Sequence, residues 1–207
     1  MFKSRRINPG LGEHAGSAGG LREGKGTSFE GGQRVPCIVK WPKRIPAGTI
    51  NNKLAATIDF FPTFAEILNV SLPDRKIDGI SILDLWENVP DANPRETFSY
   101  YYQQNALEAI RKGHWKLVFP HSHRTYGLST PGREGVNGET RQVETDLALY
   151  DLRRDPGERY DVKKDNTHIV AELSLLAEEV RADMGDDLMN IAGENRREPG
   201  RIETIKQ

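Results

Sequence analysis

The residues from Gly12 to Pro42, GEHAGSAGGLREGKGTSFEGGQRVPCIVKWP, constrain what this 207-residue chain can fold into more than any other stretch. The first part is dense in glycine, alanine and serine, and one lysine, Lys25, sits between Gly24 and Gly26. Glycine reaches backbone conformations closed to other residues and lets a bound group approach the main chain. A lysine in such a loop presents a compact positive charge to an anion. Two expectations stand at this point: a long surface connection that binds nothing, or a cradle for an anionic group. The length of the segment, and its unbroken run into the apolar residues Cys37-Ile38-Val39, favour the cradle.

Bulk properties narrow the partners. The formal net charge is -1, with 29% charged and 36% hydrophobic residues. That balance gives no global pull toward nucleic acid or an acidic membrane surface, so any anion binding is local. No apolar run is long enough to span a membrane. The basic start Met1-Phe2-Lys3-Ser4-Arg5-Arg6 is followed by no apolar segment and does not read as a secretory signal. The single cysteine, Cys37, excludes an internal disulfide framework and a cysteine-rich metal site, and its apolar neighbours predict a buried thiol.

Along the chain, residues 37–41 (CIVKW) predict a strand ended by Pro42. Phe60, Phe61, Phe64, Ile67 and Leu68 recur at helical spacing, and Pro62 places the helix start near Asp59–Phe61. A short apolar element, Ile80 to Trp86, follows Asp78-Gly79. Pro90 to Pro94 is rich in turn residues and marks a boundary. Beyond it, 97–102 (TFSYYY) and 106–112 (ALEAIRK) predict strands. A tight turn at Lys112-Gly113-His114 leads into 115–119 (WKLVF), making a hairpin with the second of them. Residues 120–145 read as a polar excursion, 147–152 (LALYDL) as a strand, and Asp155-Pro156-Gly157-Glu158 as a turn. Asn166-Thr167 predicts a helix cap, and Ile169, Leu173, Leu176, Val180 and Met184 form one stripe after it. From Gly185 onward the polar composition predicts a loosely packed tail.

At this level the sequence resembles a known family. Gly24-Lys25-Gly26-Thr27-Ser28-Phe29-Glu30-Gly31-Gly32 with Arg34-Val35-Pro36 is similar to the second signature of the sulfatases, members of the alkaline-phosphatase-like superfamily. Later landmarks keep the family's order: Thr57-Ile58-Asp59 through Pro62-Thr63, Asp78-Gly79-Ile80-Ser81, Arg111 to Lys116, Leu149-Tyr150-Asp151-Leu152 and Asp155-Pro156-Gly157-Glu158. The resemblance covers roughly Gly12 to Ile202. It implies an α/β fold, the C-terminal part of an alkaline-phosphatase-like sulfatase. Residues 12–92 would belong to the large catalytic domain. Residues 93–207 would form a small antiparallel-sheet subdomain packed by a C-terminal helix, and residues 1–11 match nothing in the family.

The resemblance also implies roles. Lys25 matches the lysine that binds the sulfate group of the substrate. A fixed cation there would stabilise charge developing on sulfate oxygens. His14 lies in the same loop and either lines the pocket or hydrogen-bonds the loop. His121, with His123, falls in a region that approaches the active-site mouth of related sulfatases. His121 is therefore a further substrate-binding candidate, against the default of two surface polar residues. As a His-x-His metal pair they have no apparent third ligand.

The family's nucleophile is a Cys or Ser in a C/S-x-P-x-R motif, converted to formylglycine. That motif is expected to be missing here, since Cys37 is followed by Ile38-Val39-Lys40. The family's calcium ion is held by an N-terminal aspartate pair and by an Asp-Asn pair upstream of the glycine-rich segment. The first pair is absent, and Ser4-Arg5-Arg6 stand where the second should fall. A truncated or mis-started gene product, inactive on its own, is the expectation. The implied substrate is a sulfated small molecule or glycan. The rivals are a phosphatase or phosphonate hydrolase of the same superfamily, and a non-catalytic glycan- or protein-binding module. The compartment stays open, with a periplasmic, secreted or lysosomal parent following family habit only.

Overall fold

The computed structural model describes residues 18–125 and 139–197. In chain order its elements are α1 (Glu30–Gln33), a 3-10 turn (Thr57–Asp59), α2 (Phe60–Leu68), α3 (Leu83–Trp86), β1 (Thr97–Tyr102), β2 (Ala106–Lys112), β3 (Trp115–Val118), β4 (His121–Thr125), β5 (Arg141–Thr145), β6 (Ala148–Asp151) and α4 (Thr167–Met184). The chain divides into two compact units. One is Arg34–Phe98, and the other joins the described residues before Arg34 to those from Ser99 onward.

In the second of these units, four strands form an antiparallel sheet in the order β1-β2-β3-β6. The β2–β3 hairpin pairs Lys112 with Trp115 across Gly113-His114, with Gly113 at φ +57. Its positive φ suits the two-residue turn that the twist of paired strands favours. Beyond the hairpin, β3 pairs with β6, Leu117 opposite Leu149 and Lys116 opposite Tyr150. Side chains alternate between faces along a strand, so Leu117 and Lys116 point to opposite sides. On one side, Leu107, Ile110, Leu117 and Leu149 pack with Phe119 and with Leu173 and Ala177 of α4. On the other side, the register aligns Arg111, Lys116 and Tyr150 as a row across three strands. The glycine-rich loop covers that row.

β4 and β5 form a separate two-stranded ribbon, from His121 opposite Thr145 to Thr125 opposite Arg141. The polar excursion thus contains an ordered hairpin, while residues 126–138 lie outside the described residues. α4 starts where its cap residues predicted, but Asn166 makes no side-chain cap and donates instead to Val162 O at 2.9 Å.

The tail expected to be loose is pinned through Asn195. Asp186 is fully buried, accepts from Leu107 N at 3.1 Å and pairs with Arg181 at 2.9 Å. Glu194 N and Asn195 N donate to Ala182 O and Asp183 O. A buried charge with two good partners holds a polar segment in place as firmly as apolar packing would.

In the 34–98 unit, α2 turns into α3, and Phe60 and Phe64 meet Trp86 edge-on. Asn69 ends α2 in the left-handed conformation (φ 52). The expected strand at 37–41 is not formed, and Cys37 and Ile38 (94% exposed) face solvent. An extended segment becomes a strand only in a ladder, and residues 34–41 have no strand partner among the described residues.

Candidate functional site

The glycine-rich loop holds Lys25 outward on an otherwise buried segment. Gly24 and the run Thr27–Glu30 are buried, whereas Lys25 is exposed. Thr27 Oγ1 donates to Gly24 O at 3.0 Å and closes the turn beneath the lysine, while Gln33 Nε2 donates to Thr27 O at 2.8 Å. Gly26 has φ +97, a conformation that strains any residue with a side chain, and a Cβ there would also displace the guanidinium of Arg124 from β4. Gly32 is required for a second reason: a Cβ there would strike Thr27 O. Glu23, just before the turn, accepts from Thr125 Oγ1 at 2.6 Å.

Beneath the loop lies a buried charge cluster. Lys116, with no solvent exposure, donates to Ser28 O at 2.8 Å and pairs with Glu30 Oε1 at 3.0 Å and Glu158 Oε1 at 2.8 Å. Glu158 Oε2 accepts from Glu30 N at 2.7 Å, and Tyr100 Oη donates to Glu30 Oε1 at 3.2 Å. Arg111 approaches Glu30 at 3.7 Å. Burial alone would pull the Lys116 ammonium down in pKa, but Glu158, Tyr100 and Glu30 outweigh it and hold the group above its ordinary value. Burial raises the Glu158 carboxyl, against the opposing pull of Lys116.

A second buried layer surrounds Phe29. Arg22 lies over its ring at 3.8 Å and donates to Tyr150 Oη at 2.9 Å. The ring edge meets His123 at 4.8 Å between centroids. His121 is buried too, with Nδ1 2.7 Å from Phe119 O and Nε2 3.3 Å from Glu108 Oε2. The default of surface polar residues fails for both histidines, because alternation along β4 turns His121, His123 and Thr125 inward.

Burial, the charge on His121 and that on Arg22 together lower His123 to a pKa of about 4 from 6.5. The sign follows: as pH falls from 6.5 toward 4 the unfolded chain binds a proton that the folded chain refuses, so stability is lost in that window. The loss from this group is on the order of 3 kcal/mol. Denaturation at pH 7 and at pH 4.5 should show a smaller drop for His123→Phe than for the parent protein. Equal drops in the two proteins would rule out His123 as the source.

Of the residues singled out in sequence, Lys25 is exposed on the loop and His121 is enclosed beside Glu108, while His14 lies outside the described residues. Among the described residues no three His, Cys, Asp or Glu side chains converge to hold a metal ion, so they do not fit a calcium site. One pentapeptide does spell the nucleophile pattern, Ser71-Leu72-Pro73-Asp74-Arg75, contrary to the expectation that none occurs. It follows the glycine-rich loop in the sequence and is exposed throughout. Glu30, Lys116 and Glu158 belong to three separate landmarks in the sequence, and nothing in their spacing puts them in one cluster. The available signal was a lysine inside the apolar strand Trp115–Val118.

A lysine-bearing glycine loop on an antiparallel sheet backed by a helix has close parallels among known proteins. The model of the C-terminal region of aryl-sulfatase matches residues 93–200, and the sulfatase model matches residues 9–70. The fold also recurs in solved structures. One comes from work on metabolism of multiple glycosaminoglycans by Bacteroides thetaiotaomicron (30% identity, TM-score 0.61, covering 78% of this chain and 32% of that one). PsFucS1 sulfatase from Pseudoalteromonas sp. (22% identity, TM-score 0.62, covering 78% and 32%) shares the fold. These define an α/β protein of the alkaline-phosphatase-like class. Among relatives, Hemicentrotus pulcherrimus arylsulfatase is 37% identical over 166 residues, covering 73% of this chain and 29% of its own length. Mus musculus steryl-sulfatase is 34% identical over 154 residues, covering 70% of this chain and 24% of its own length. The chain belongs to the sulfatase family, and it spans about a quarter to a third of the length of these relatives.

Proposed function

We propose that this chain supplies the sulfate-holding wall of an enzyme that hydrolyses a sulfate ester, and that Lys25 is the residue that holds the sulfate. The observation that carries this reading is the contrast within the loop, where exposed Lys25 follows buried Gly24 and precedes the buried run Thr27–Glu30. A cation held in place this way can meet charge developing on a sulfate oxygen without reorganising, which is the efficient form of electrostatic catalysis. The name of the steryl-sulfatase relative and the glycosaminoglycan context of the Bacteroides thetaiotaomicron structure support a sulfated small molecule or sugar as the ester. No step is assigned to a metal ion, because the described residues do not fit one.

The 207-residue protein by itself is proposed not to turn over. Ser71 carries no catalytic role in this reading, since its pentapeptide is an exposed, irregular segment. The purified protein should leave p-nitrophenyl sulfate intact. It should still bind inorganic sulfate weakly, with shifts confined to the amide signals around Gly24–Gly26 and abolished by Lys25→Met. Turnover that disappears in Ser71→Ala would overturn the inactivity. A sulfate titration unchanged in Lys25→Met would overturn the assignment of Lys25.

A further inference from the structure

We infer that Lys116 is a positioning residue for Lys25, acting through Glu30 and Glu158 on the backbone of the glycine-rich loop. The inference rests on the reading of Lys25 as the sulfate-holding residue. Lys116 never reaches the loop surface, yet it fixes the loop at two points. Its ammonium donates to Ser28 O, three residues after Lys25, and pairs with the Glu30 carboxylate two residues further on. Glu158 completes the clamp from the opposite side by accepting from Glu30 N.

Between Ser28 and Lys25 the chain has little freedom left. Thr27 is tied to Gly24 O, and Gly26 is seated on Arg124. The backbone that carries Lys25 is therefore set by charges that lie under it rather than by any contact of its own side chain. An ammonium suits this task better than an apolar side chain would. It satisfies a carbonyl and two carboxylates at once, and such directional contacts define a position more sharply than packing does.

The cluster makes a distinction between positioning and bulk stability measurable. Two variants separate them. Lys116→Met removes the charge, and Glu30→Gln keeps an oxygen to accept from Lys116 and Tyr100 while removing one carboxylate. If Lys116 positions the loop, both variants should raise amide exchange at Glu30, Gly31 and Gly32 by more than at β2, β3 and β6, beyond the even increase that a lower global stability brings. Inorganic sulfate should then bind roughly tenfold or more weakly at a temperature well below each variant's melt, because displacing a charged contact by about 1 Å is costly.

A purely structural role would speed exchange evenly over loop and sheet, however far the melt falls, and leave the sulfate Kd of the folded protein unchanged. That result would overturn the inference, whichever of the two variants folds well enough to measure. Lys25→Met serves as the control. If it leaves sulfate binding intact, the reading of Lys25 fails, and the exchange data still decide whether the cluster orders the loop.

Discussion

Replacing Lys116 with methionine should cost the sheet-bearing unit about 3–5 kcal/mol, read as a lowered urea midpoint with an unchanged slope. Methionine fits the volume, so the loss is electrostatic. The parent site holds one ammonium with oxygens of Ser28, Glu30 and Glu158 within 3.0 Å, all away from water. Taking the ammonium away leaves the buried Glu30 and Glu158 carboxylates without the cation they share, while Arg111 stays 3.7 Å from Glu30 and Tyr100 Oη still donates to it. A buried ion pair adds little net stability over a well-packed apolar alternative, but breaking one strands its partner, and that second quantity is what the substitution reads. Adding Glu158→Gln to Lys116→Met should therefore recover part of the loss by removing one stranded charge. A cost below about 1 kcal/mol for Lys116→Met would mean the carboxylates find water or protons easily, and the cluster would not be the dry joint described.

The second large effect lies in the 34–98 unit. Asp59 is fully buried and accepts from Arg95 Nε at 2.9 Å, Ile80 N at 3.0 Å and Ala56 N at 2.8 Å, with a further close contact to the same guanidinium. Asp59→Ala deletes all of these acceptors together and leaves the Arg95 guanidinium, which is largely buried, without its counter-charge. The expected loss is again about 3–5 kcal/mol. This unit has a small apolar core, chiefly Ala65, Ile82, Leu83 and Leu85. A loss of that size should leave it open, seen as a red shift of Trp86 emission. Asp59→Asn keeps one acceptor oxygen and should fall between the two. A wild-type midpoint for Asp59→Ala would show that Arg95 and the two backbone amides are satisfied by other groups.

Both effects fall on residues that stood out in the sequence for a different reason. Thr57-Ile58-Asp59 and Asp78-Gly79-Ile80-Ser81 were separate landmarks, and the structure joins them at one carboxylate. Gly24–Gly32, Arg111–Lys116 and Asp155–Glu158 were three more, and they meet at one ammonium. The landmarks were visible because their spacing and order could be matched, but their pairing was not. Glu30, Lys116 and Glu158 lie far apart in the chain, and nothing local says which carboxylate meets which cation.

Local signals worked where local forces decide. The β2–β3 hairpin, β6 and the span of α4 follow from alternation, a glycine turn and a periodic stripe. They failed where a partner decides. Residues 37–41 have the composition of a strand but no ladder among the described residues. The apolar face of α2 is another case: Phe61, Phe64 and Leu68 are exposed, while Pro62, Thr63 and Ala65 are buried. Asp186 reads as part of a polar tail until Arg181, one turn back on α4, is seen to require it.

The sheet with α4 on one face and the glycine-rich loop on the other has a consequence for how the molecule is held together. The loop's place is written in Lys116, Glu158 and Arg124, none of which is near it in the chain. Residues 18–33 are thus held to the sheet by side chains far away in sequence, not only by the peptide that runs through residues 34–98. The polypeptide behaves there less as a string with a loop on it than as two complementary pieces, a tongue and its socket, that happen to be covalently connected by a detour.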